Sequence, residues 1–216
     1  DMSNLSDLLP AGAGGKQVDF VASGTLASGQ AVALKSDGAV VAITATGGDP
    51  TIGTPVVFDT ADPNRMWACY DSTNSKVVVA YTELIVGNYG MAVVGTVSGD
   101  TISFGTPVIF VSGFADNKGI TEGSGKIVIA FQNRGNSAYG TAIVGTVSGT
   151  SISFGTAVVF STVNTSAFGV TWDSANSKIV IAYYPLSSVS KAIVGTISGT
   201  SISFGSAYSF STENTY

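Results

Sequence analysis

Hydrophobic positions along the chain come in short bursts cut off by Ser, Thr, Asn and Gly, and the bursts are of two kinds. In Phe168-Gly169-Val170-Thr171-Trp172 and in Ser201-Ile202-Ser203-Phe204, large apolar residues alternate with small or polar ones. That is the period of a strand with one face on a core. In Ile179-Val180-Ile181-Ala182-Tyr183 every position is apolar, so both faces of that strand need cover. A third strand is expected over 192–197, and Ser198-Gly199-Thr200 turns the chain tightly into the fourth. The pattern therefore predicts four antiparallel strands and no helix.

This unit is repeated. Gly95 to Phe110 reads GTVSGDTISFGTPVIF, Gly145 to Phe160 reads GTVSGTSISFGTAVVF, and Gly195 to Phe210 reads GTISGTSISFGSAYSF. Upstream of each lies a second shared block, at 71–81, 126–131 and 173–183, whose lysines Lys76, Lys126 and Lys178 are 50 and 52 residues apart. A partial copy comes first, with Ala39-Val40-Val41 and Gly53-Thr54-Pro55-Val56-Val57-Phe58 matching 92–94 and 105–110. Self-similarity at about 50 residues, four strands at a time, with the second strand covered on both faces, predicts an all-β chain of tandem four-stranded antiparallel units resembling β-propeller blades. Another β-meander array, or a sandwich or barrel, stays open. Three full units and one half do not obviously close a ring, and an incomplete ring leaves edges that invite pairing. Assembly with other copies is expected.

The boundaries follow. Residues 1–22 read as an N-terminal attachment segment, with a short helical turn at Asn4–Leu9 ended by Pro10 and a hinge at 11–15. Residues 23–58 read as a β-hairpin plus the half repeat, turning at Ser36-Asp37-Gly38. Residues 59–216 hold the three repeats, about 59–110, 111–160 and 161–210, and the start of a further linker. The start is expected near Met2 and the end beyond Tyr216. The Gly-rich stretch lacks the GK[ST] ending and following helix of a phosphate loop.

Composition narrows the chemistry. The chain has 216 residues, 44% of them hydrophobic and 11% charged, so its surface must be covered largely by Ser, Thr, Asn and Gly. Its net charge is −5, without a basic cluster, which argues against nucleic acid. The longest apolar stretch runs from Ile179 to Tyr184, far short of the about 20 residues of a spanning helix, so no membrane insertion is expected. There is no His and one Cys, Cys69. Ser-His-Asp and Cys-His nucleophilic systems and His or thiolate metal sites are thereby excluded. No catalytic residue, metal or cofactor is expected. A carboxylate-pair glycosidase stays formally open because fourteen acids are present. A sialidase-type propeller does not fit a chain with two arginines.

The phrases AIVGTVSGTSISFGTAVVF (142–160), SKVVVAY (75–81) and SKIVIAYY (177–184) resemble tandem repeats of structural and tail-fibre-like proteins of marine tailed bacteriophages. The opening over 2–43 is similar to their N-terminal region. The resemblance implies a non-enzymatic virion component, a fibre, spike or decoration protein, partnered by other virion proteins or copies of itself and contacting host-surface polysaccharide. It carries no site residue with it. A bacterial secreted or surface carbohydrate-binding adhesin shares the same composition.

Comparison among the copies separates frame from variable surface. The turns at 98–100, 148–150 and 198–200 are nearly constant. The loops between second and third strands, at 82–90, 132–140 and 184–190, differ every time. These loops and the linkers between units should lie at one end. Tyr89 and Tyr139 hold matching positions there, with Asn88, Arg134 and Asn136 near them, and a flat aromatic beside amide donors suits a sugar ring. The plainer alternative is that both tyrosines cover the neighbouring unit. Asp71 and Asp173 read as turn formers, and Asp59 with Asp62 as a weak calcium candidate whose spacing matches no calcium loop.

Overall fold

Short alternating and continuous apolar runs, punctuated by Gly and Asx turns, fold as strands throughout the repeats. A computed structural model describes residues 21–22, 24–26, 32–42, 53–85, 87–186 and 188–212, leaving aside the side chains at 117, 118, 167 and 168. The expected helical turn at 4–9, the hinge at 11–15, the side chain of Phe168 and the linker beyond 212 lie outside the described residues. The chain divides into two parts, Asp1–Ile52 and Gly53–Tyr216.

In the first part, β1 (Val32–Leu34) and β2 (Val40–Ala42) form the expected hairpin. Its turn is held by the Asp37 carboxylate, which accepts the Ala39 N–H at 3.0 Å, with Gly38 at φ +81°. Ala22 adds a parallel bridge to Val40.

The second part is all-β and antiparallel. Repeat one comprises β3 (Pro63–Asp71), β4 (Lys76–Glu83), β5 (Tyr89–Ser98) and β6 (Thr101–Phe104). Repeat two comprises β7 (Val108–Gly123), β8 (Lys126–Asn133), β9 (Tyr139–Ser148) and β10 (Ser151–Phe154). Repeat three comprises β11 (Val158–Asp173), β12 (Lys178–Pro185), β13 (Lys191–Ser198) and β14 (Ser201–Phe204), followed by β15 (Tyr208–Ser209). Within each repeat, neighbours along the chain pair in turn.

The linkers expected between repeats are instead strand. β7 and β11 each run 16 residues. Their first parts pair with β5 and β9 of the repeat before, and their later parts with β8 and β12 of their own. Bulges at Asp116/Gly119 and Ser166/Gly169 bend the strand just after it changes partner at 114/115 and 164/165. The result is one continuous path from β3 to β14, open at both of those strands among the described residues.

Repeats pack face to face. One core joins Val78, Ala80, Ala92 and Val94 of repeat one to Ile127, Ile129, Phe131, Ile143 and Ile152 of repeat two. A second joins Val128, Ala130, Ala142 and Val144, on the other face of repeat two, to Ile179, Ile181, Tyr183, Ile193 and Ile202 of repeat three. Strand β8 is therefore buried on both faces, as its sequence requires. The same expectation fails for β12, whose burial alternates, and holds only partly for β4, where Val77 and Val79 are half-buried. The cause is position, since repeat two alone among the three has a repeat on each side.

Candidate functional site

The two ends of the repeats differ in chemistry. At the turn end, the Asp71 carboxylate accepts the Thr73 and Asn74 N–H groups at 3.1 Å and the Asn74 amide at 2.8 Å. Asp173 repeats this with Ala175 and Asn176. These contacts hold the Asp173 carboxyl below its usual range, the Asn176 side chain contributing most. Both aspartates are turn formers, as expected. In repeat two the same connection shortens to Ser124-Gly125, both with positive φ, the two-residue turn that joins twisted strands most directly. Lys76, Lys126 and Lys178 each donate to the Thr of the third strand, Thr96, Thr146 and Thr196, at 2.8–2.9 Å. The Lys–Thr contact is thus built alike in all three repeats, and the Asp turn in the first and third.

The other end varies. Register places Tyr89 opposite Phe114, Ala115 opposite Asn133, Asn133 opposite Tyr139 and Tyr139 opposite Asn164. The two tyrosines thus share one row across the sheet, both half-buried, with Phe114 and Asn133 between them. The Tyr89 ring lies against Gly87 of its own loop, 2.6 Å from where a Cβ would stand, so a larger residue there would displace the ring and, at φ +83°, strain the backbone. Asn88 is exposed, in the left-handed region at φ +56°. Asn136 is exposed at the end of a 3-10 turn, Arg134–Asn136.

Arg134, in the same loop, is also tied into an ion-pair network. Its Nη2 lies 2.8 Å from Oδ2 of Asp116, a residue only 4% exposed, and its Nε donates to Gln132 Oε1 at 3.3 Å. Arg65, from β3, reaches the other Asp116 oxygen. The two guanidinium carbons lie 5.1 and 5.0 Å from the centre of the Phe114 ring. Both arginines of the chain therefore converge on one aromatic ring and one carboxylate, tying repeat one to repeat two. Gln132 extends the network to repeat three, donating to Asn164 Oδ1 at 2.7 Å.

Nothing in the sequence singled out Arg65, Phe114, Asp116, Gln132 or Asn164. The available signal was that linkers and variable loops share an end, which names a region and no residue.

Comparison with protein-family models, curated proteins and solved structures finds no match.

The loop end thus groups two guanidiniums, each about half-exposed and already paired with Asp116, with two tyrosines and two exposed asparagines. Such a surface donates hydrogen bonds to hydroxyl or carboxylate oxygens and supplies aromatic faces. Asp59, the calcium candidate, is otherwise engaged. It accepts the Ala61 N–H at 2.9 Å and the Tyr81 hydroxyl at 2.5 Å. Burial, then the Asp59 bond, pushes the Tyr81 hydroxyl well above the usual tyrosine range. Among the described residues no group of three His, Cys, Asp or Glu is placed to hold a metal. Burial, with the Asp71 and Glu122 charges, pushes the Cys69 thiol up to about 12, which keeps it protonated and unreactive near neutral pH.

Proposed function

We propose that this chain is a non-enzymatic structural and recognition protein of a bacteriophage particle, a fibre, spike or decoration component. Its repeats serve as propeller-like blades, and its loop end contacts glycans on the host surface. The reading rests on the contrast between the ends of the repeats. One end repeats the Lys–Thr contact and the Ser-Gly turn between third and fourth strands in all three copies, while the other carries Tyr89, Asn88, Arg134, Asn136 and Tyr139 on or beside loops that differ in every copy. A constant frame with variable loops is how binding surfaces are presented on rigid scaffolds. The resemblance of the repeat phrases to phage structural proteins supports the virion assignment.

Two measurements test it. Mass spectrometry of purified particles of the encoding phage should find this polypeptide; its absence there, with secretion or polysaccharide genes as genomic neighbours, points to a bacterial adhesin instead. On a glycan array the chain should bind surface polysaccharides of the host. Tyr139→Ala should weaken that binding about tenfold, within the usual worth of an aromatic anchor. Turnover of any glycan would overturn the non-enzymatic assignment.

A further inference from the structure

The back faces of the three repeats carry equivalent residues and differ in what covers them. Val94 of β5 and Val144 of β9 are 1% and 0% exposed, whereas their counterpart Val194 on β13 is 40% exposed. Val78 and Val128 are buried, and Val180 is only half-buried.

The motif closing each repeat shows what the cover should be. A Cβ on Gly53, Gly105 or Gly155 would overlap the carbonyl oxygen of Asp100, Thr150 or Thr200, so each glycine seats the tight turn of the repeat that follows. Five residues on, Phe58 packs on Tyr81 and Phe104, with ring centres 5.2 Å away in both cases. Phe110 does the same on Phe131 and Phe154, and Phe160 on Tyr183 and Phe204. Gly205–Phe210 is a further copy of this motif, and among the described residues nothing occupies its seat. The nearest atom to a Cβ on Gly205 is Val194 O at 4.0 Å, and Phe210 is 64% exposed where Phe110 is 7%.

We propose that this seat is filled by repeat one of a second copy of the chain, joined head to tail. Repeat one owns the matching slot, lined by Tyr81, Phe104 and the Asp100 turn, and that slot already accepts the same motif from its own Gly53–Phe58. Gly205–Phe210 of one copy enters it by exchanging with Gly53–Phe58 of the next, glycine for glycine and phenylalanine for phenylalanine. Val194, Tyr208 and Phe210 are covered in the process. The contact is heterologous, so copies add in one direction until a ring closes or a filament grows. Assembly through this face is separable from glycan recognition at the loop end.

The test is sedimentation of the full chain across a wide concentration range. The chain should form a concentration-dependent series above 21.8 kDa. Val194→Asp and Phe210→Ser should each weaken association at least about tenfold, the effect of losing a central apolar contact, with circular dichroism unchanged. Phe58→Ala should act oppositely and strengthen association, because it vacates the slot; if that variant fails to fold, Gly53→Ala, which ejects the same segment, should do so. Mixing Val194→Asp with a Phe210-intact chain of distinct mass should cap the series at its open end. A chain that stays at 21.8 kDa throughout overturns the proposal, as do assemblies indifferent to Val194→Asp and Phe210→Ser, or slot-vacating variants that associate less well than the parent.

Discussion

At the residue scale, the Asp116 carboxylate links repeat one to repeat two through two arginines. It is almost wholly buried and shared by the two arginines, one from each of two packed repeats. Truncating either arginine leaves the carboxylate the other, while truncating both removes both cations from a charge that water hardly reaches. The effects should therefore not add. Arg65→Ala and Arg134→Ala should each lower stability by about 1 kcal/mol, the cost of a charge-assisted contact at half-exposed positions, discounted for solvent screening. The double variant should cost about 3 kcal/mol or more, approaching the loss seen when a buried pair is broken. Adding Asp116→Asn to the double variant should recover part of that loss. Urea unfolding of the four proteins provides the cycle, and strict additivity would mean that the carboxylate is held chiefly by its other contacts.

At the element scale, what could be read in advance depended on how far away the determining contact lies. Asp71 and Asp173 were readable as turn formers because their partners are two and three residues along. The hairpin at 36–38 was readable for the same reason. The strand identity of 111–116 and 161–166 was not, because the same stretch of chain serves two repeats through bulges whose partners lie far along the sequence. The charged cluster at the loop end was hidden likewise, since Arg65, Asp116 and Arg134 come from three separate elements. The glycines at 105, 155 and 205 look interchangeable in the repeat, yet their demands differ. A methyl group at Gly155 strikes the Thr200 carbonyl, whereas at Gly205 it meets nothing closer than Val194 O at 4.0 Å. Gly155→Ala should therefore lower the melting temperature by several degrees, consistent with overpacking losses of about 1–3 kcal/mol. Gly205→Ala should leave the isolated chain unchanged. Equal effects at the two positions would show that the glycine is required by its local backbone and not by the turn stacked on it.

At the scale of the whole molecule, stability comes from faces meeting between repeats, much as in arrays whose energy is a sum over neighbouring interfaces. Repeat two contributes to both of the described cores, and repeats one and three to one each. Adjacent residues on a strand point to opposite faces, so a charge scan of two neighbouring positions reads out how many faces are covered. Val128 and Ile129 on β8 are both fully buried, one in each core. Val128→Asp and Ile129→Asp should then both be severe, each costing several kcal/mol because a carboxylate is buried in an apolar interface or must take up a proton. On β12 the pair splits, since Ile181 is buried against repeat two while Val180 is only half-covered. Ile181→Asp should be as damaging as the β8 substitutions, and Val180→Asp distinctly milder, on thermal unfolding at concentrations low enough to keep the chain monomeric. If Val180→Asp proved as damaging as Ile181→Asp in the monomer, the back face of repeat three would have to be covered within the chain itself. Under assembling conditions the comparison changes in a defined direction, because a second copy seated there would make Val180→Asp costly through lost association while leaving the melting of the monomer unaltered.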